Sequence, residues 1–120
     1  MTTHLATEVR EVFVGDTGPP LEFVFRYSDG VTLKDLAGHS AWVSFSYAGS
    51  TTHVVRAAMI PSPSTQGIIR YVFLGDEYPT IGRVYVQGSI MAPNYGAYLG
   101  VGWNEYSGPI LERRVIARPL

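Results

Sequence analysis

The side chains that could do chemistry are scattered along this chain rather than gathered. His4, His39 and His53 fall near a terminus, in a turn and in a strand, with no i,i+2 or i,i+4 pairing. A metal centre needs converging ligands, so solvated or core-rim histidines are expected and no metal. Asp16, Asp29, Asp35 and Asp76 each lie at a corner of the chain. Calcium would require several of their oxygens at one point. The alternative is that each carboxylate accepts hydrogen bonds from main-chain N–H groups in its own turn, and that is the expectation. No serine occupies a Gly-x-Ser-x-Gly elbow, and neither Ser89 nor Ser107 has a histidine close in sequence. An activated nucleophile needs a base and an orienting group. Cysteine is absent altogether, which removes disulfides, thiolate-bound zinc and thiol catalysis. We therefore expect a protein that is not an enzyme and carries no cofactor.

Binding chemistry has better candidates. Trp42 is out of phase with the apolar positions Ala41, Val43, Phe45 and Tyr47. If that series faces the core, the indole faces away beside Ser44 and Ser46, where a tryptophan serves as an interface anchor or is covered by a loop of its own chain. Tyr95, Tyr98, Trp103 and Tyr106 form a second aromatic set around glycine-rich turns. Packing of the last hairpin is the simpler reading; a carbohydrate-binding platform is the alternative. Arg113, Arg114 and Arg118 cluster near the C-terminus. They read as charges guarding an edge strand against mispairing, with contact to an acidic neighbour as the second reading. Trp42, Trp103, Arg113 and Arg114 are thus the candidate interface residues.

The elements that must position these groups are short strands. Apolar residues recur at every second position and Gly, Pro, Asn and Asp clusters interrupt them. Strands are expected at Thr7–Val14 (at an edge), Leu21–Tyr27, Val31–Leu33, Ala41–Tyr47, His53–Ile60, Ile68–Leu74, Gly82–Met91, Tyr98–Trp103 and Ile110–Ala117. Ile68–Leu74 is apolar on nearly both faces, which predicts a central strand. Seven to nine strands with turns every 8–12 residues predict an all-β, antiparallel sandwich. The 120 residues suit one domain spanning 1–120, with residues 1–7 as a flexible arm. Charged residues are 16% of the chain and the net charge is −1. No basic field is present to draw nucleic acid or anionic lipid, and charge-poor surface is readily buried against a protein partner. No apolar run is long enough to span a membrane as a helix, and the first residues lack a signal-peptide pattern.

The ordered series of corners is more specific than any one of them. Gly15-Asp16-Thr17-Gly18-Pro19-Pro20-Leu21 is followed by Asp29-Gly30, Asp35-Leu36-Ala37-Gly38, the strand Ala41–Tyr47, Gly67-Ile68-Ile69-Arg70-Tyr71, Gly75-Asp76 and Gly82. From about Glu11 to Ile90 this resembles the N-terminal immunoglobulin-like domain of phage baseplate upper proteins and small tailed-phage virion proteins. The resemblance implies an immunoglobulin-like sandwich and a structural, non-enzymatic place in a virion assembled in the host cytoplasm. Its partners would be other phage virion proteins and further copies of itself.

Overall fold

The computed structural model describes residues 8–27, 29–92 and 106–117. Within them run seven strands: β1 (Glu8–Phe13), β2 (Leu21–Val24), β3 (Ser40–Tyr47), β4 (His53–Ala57), β5 (Ile68–Tyr71), β6 (Gly82–Met91) and β7 (Tyr106–Ile116). One 3-10 turn, Ser64–Gln66, is the sole helical element described. The strands form two sheets, a five-stranded one in the order β1-β7-β6-β3-β4 and a two-stranded one of β2 and β5.

Alternation built the layers as expected. Along β3, Ala41, Val43 and Phe45 are buried while Trp42 and Ser44 are only partly covered, because successive side chains of a strand point to opposite faces. Phe23 and Phe25 from the β2 segment and Ile69 and Tyr71 from β5 meet Val43, Phe45, Val84, Val86, Ile90, Leu111 and Val115 from the larger sheet. Each fully buried Val, Ile or Phe contributes about 1.5–3 kcal/mol from removal of its surface from water. At one end of the sandwich the packing is aromatic. Phe45 and Phe73 each meet Tyr71 and Tyr78, with ring centroids 5.5–6.4 Å apart.

Gly88 lets the two sheets approach. A Cβ there would lie 2.7 Å from the ring of Phe23. The pairing of β6 with β7 shifts register between Gln87 and Ser89, so the bulge and the close approach coincide, as glycine in a strand often signals. Gly67 closes the 3-10 turn at φ +68°, and its carbonyl accepts the Phe25 N–H at 2.8 Å. A side chain at Gly67 would sit 2.5 Å from the Phe25 carbonyl oxygen.

Four expectations need correction. The sandwich is not wholly antiparallel, because β1 pairs parallel with β7. Parallel neighbours require a long crossover; here the whole intervening domain is the crossover, so no turn signal could announce the pairing. For the same reason the arginine-bearing β7 is no edge strand: β1 covers it. The predicted central strand Ile68–Leu74 stops at Tyr71 and lies in the two-stranded sheet, leaving Val72 and Leu74 exposed. Val31–Leu33 forms no strand but supplies a single bridge, Leu33 to Arg26. The predicted strand Tyr98–Trp103 lies outside the described residues.

Candidate assembly surfaces

A buried carboxylate anchors one end of the scaffold. Glu77, in the β5–β6 connection, is 0% exposed. Its Oε1 accepts the Gly75 N–H at 2.9 Å. Its Oε2 accepts the Leu74 N–H at 2.9 Å, the Arg56 guanidinium at 3.1 Å and the Tyr71 hydroxyl. Burial alone would raise its pKa. The Leu74 N–H, the Tyr71 hydroxyl and the Gly75 N–H favour the anion and hold the carboxyl below its ordinary value. Arg56, on β4, also grips Asp76 through two parallel hydrogen bonds of 2.6 and 2.8 Å, and the Tyr47 hydroxyl donates to the Glu77 carbonyl. The cluster ties β3, β4 and β5 to the corner that launches β6. The sequence places Asp76 in simple turn chemistry and carries no local signal that marks Arg56, Tyr71 or Glu77 as its partners. Their positions, up to 21 residues apart, meet only through the fold.

Turn chemistry does account for other aspartates. Asp29 accepts the N–H groups of Val31 and Thr32, both at 2.9 Å. Its pKa is lowered first by the Thr32 hydroxyl and then by these main-chain donors. Asp35 accepts the Ala37 N–H at 3.0 Å and the Ser64 hydroxyl at 3.0 Å.

At the same end lies a cavity of about 180 Å³. Arg10, the Asp16–Leu21 loop, Phe73, Tyr78 and Arg113 line it. Arg113 is 5% exposed. It turns into the sandwich on the face of β7 that carries Leu111 and Val115, near the Tyr78 phenol, whose ionised form it favours. Burial pushes the Tyr78 phenol up to about 12, the neighbouring Arg113 charge opposing the shift. Arg114, one residue on, points outward with a side chain 54% exposed and pairs with Glu112 at 2.9 Å. The two candidate arginines therefore face opposite ways, and only Arg114 meets solvent.

Trp42 stands on the outer face of β3, half-buried, with the small residues Ala57 and Ser89 as its cross-strand neighbours. Val55 lies on that face too, 53% exposed. Trp103, Tyr95 and Tyr98 lie outside the described residues, as does residue range 1–7; Tyr106 opens β7. Among the described residues, no group of three or more His, Asp or Glu side chains could hold a metal ion. No helix among them is long and apolar enough to cross a membrane.

What these elements define is a small two-sheet all-β domain whose accessible features are strand edges, an outward tryptophan and exposed apolar side chains. No protein-family model matches the chain, and no curated protein matches it. Among solved structures, it is similar to the N-terminal domain of phage TP901-1 ORF48. That likeness has a TM-score of 0.58 at 12% sequence identity and covers 89% of this chain and 83% of the other. At that identity the likeness is one of fold.

Proposed function

We propose that this chain is a non-enzymatic structural component of a tailed-phage virion, in its tail, baseplate or capsid-associated parts, and that it acts by protein–protein assembly. The observation that carries this reading is the agreement between two independent signals. The ordered corners from Glu11 to Ile90 resemble a baseplate module, and the backbone is similar over 89% of the chain to a domain of a phage protein. The finer assignment to the immunoglobulin-like class is supported by strand order. With β2, β3, β4, β5, β6 and β7 read as strands B, C, C′, E, F and G, the B–E pair faces a G-F-C-C′ sheet. Trp42 and Arg114 present themselves for contacts with neighbouring virion subunits or further copies of the chain.

The test is direct. Quantitative mass spectrometry and antibody labelling of purified particles of the source phage should find the protein in fixed copy number at one location. Its absence from washed particles, with the protein abundant in the infected-cell extract, would overturn the proposal.

A further inference from the structure

We infer that β4 is a self-pairing edge, through which two copies of this chain join their five-stranded sheets antiparallel about a two-fold axis at Val55. The inference deepens the assembly reading and takes its setting from it. It starts from the hydrogen-bond parity of β4. The Ala58 N–H donates to the Ala41 carbonyl at 3.0 Å, and Ala57 lies opposite Trp42. Hydrogen-bonded and non-bonded pairs alternate along an antiparallel ladder. Val54 and Arg56 therefore turn their main-chain groups toward β3, while His53, Val55 and Ala57 turn theirs to the open side.

Met59 continues the outward series, and its N–H and carbonyl both pair with Arg70 of β5, at 2.8 and 2.7 Å. The strand thus leaves one sheet to bridge the other, and among the described residues the outward groups of His53, Val55 and Ala57 find no such partner.

The other three edges are less open to a partner: β5 already bridges to Met59 through Arg70, and β1 and β2 present charges or follow prolines. β1 has Arg10 and Glu11; β2 has four residues, follows Pro19-Pro20 and carries Glu22. Charges, prolines and shortness are the usual protections of an edge. β4, His53-Val54-Val55-Arg56-Ala57, has no proline and no lysine. Its one full charge, Arg56, points inward, which is itself a brake on pairing, but Asp76 and Glu77 neutralise it, so it does not repel an incoming strand.

The strand is also complementary to itself. With Val55 opposite its counterpart, His53 faces Ala57 and Arg56 faces Val54, so no like charges oppose one another. All three outward residues pair with outward residues, giving about six main-chain hydrogen bonds, and the two exposed valines pack together. A second copy offers this match by symmetry, with Arg56 set against Val54 and no charges of like sign opposed, and it is the occupant we infer.

The experiment is sedimentation velocity on the full chain over a concentration series, with Val55→Lys, Val55→Glu and Val55→Thr beside wild type. The Val55 side chain is on the solvent side, so all three variants keep the native circular dichroism spectrum. Wild type and Val55→Thr dimerise. Val55→Lys and Val55→Glu each place like charges directly opposite one another and weaken the dimer about tenfold or more. Mixing those two restores a dimer, an outcome that misfolded variants would not give. The inference is overturned by a wild type that stays monomeric at the highest attainable concentration, by a Val55→Lys dimer as tight as wild type, or by a mixture that does not associate. Each of those results concerns self-pairing alone, since the virion role is decided separately by the composition of purified particles.

Discussion

Replacing Glu77 by Gln probes the buried corner most sharply, because the change is nearly isosteric and alters only charge and one hydrogen-bonding valence. Four donors converge on the native carboxylate: the Gly75 N–H at Oε1, and the Leu74 N–H, the Arg56 guanidinium and the Tyr71 hydroxyl at Oε2. The best arrangement of Gln puts its carbonyl at the Oε2 position and its NH₂ against the Gly75 N–H. One main-chain donor then loses its acceptor and meets another donor, and the remaining bonds lose their charge assistance. Bonds to a charged group contribute about 1.5–3 kcal/mol, and an unsatisfied buried donor costs about 1–3 kcal/mol. The expected loss at pH 7 is about 3 kcal/mol. With an m-value of about 1.5 kcal/mol/M, that shifts the urea midpoint by roughly 2 M.

The pH dependence has a defined sign. The folded-state pKa of Glu77 lies below the ordinary value, so its contribution is complete above the unfolded-state pKa, near 4.5. It is lost as pH falls from there through the depressed folded value. The gap between wild type and Glu77→Gln should therefore be flat from pH 7 to about 5.5 and close progressively below pH 4.5. Urea unfolding followed by fluorescence at several pH values measures it. A gap under about 1 kcal/mol at pH 7, or one that persists unchanged to pH 3, refutes the assignment of Glu77 as a charged, hydrogen-bonded anchor.

Other perturbations follow from the same packing. Gly88→Ala should cost about 1–3 kcal/mol, since its methyl collides with the Phe23 ring; chemical denaturation measures this, and a neutral result means the sheets separate freely. Arg113→Ala should destabilise by about 2–4 kcal/mol through the cavity it leaves in the sandwich, whereas Arg114→Ala stays within about 0.5 kcal/mol; equal effects would contradict the opposite facing of the two arginines. Tyr78, raised to about 12, favours the folded state below the ordinary tyrosine pKa near 10, and that stabilisation is lost as pH rises toward 12. A spectrophotometric titration at 295 nm of wild type against Tyr78→Phe should show one late-titrating phenol missing from the variant.

Much of the fold was legible because strand formation here is written in local alternation. Ser40–Tyr47 and Gly82–Met91 each match a run of period-two apolar residues, and Asp29 and Asp35 serve the turns their types suggest. Interface candidates were less legible. Arg113 and Arg114 look alike in sequence, and only the register of β7 against β6 assigns one to the interior and the other to solvent. The run Ile68–Leu74 misled because apolarity on both faces is compatible with a central strand and equally with a short strand followed by an exposed apolar connection.

By itself, then, the amino-acid order determined that the chain is built of short strands, the inward faces of Ser40–Tyr47 and Gly82–Met91 and the turns at Asp29 and Asp35, because those properties depend on neighbours a few residues apart. Tertiary structure alone decided which strands adjoin. It laid the first strand parallel to the last, gathered Arg56, Tyr71 and Asp76 around the buried Glu77 carboxylate, and left β4 at the edge of its sheet. These outcomes arise from pairings between distant segments, where burial of a shared core and satisfaction of main-chain hydrogen bonds select the arrangement and no local pattern records it.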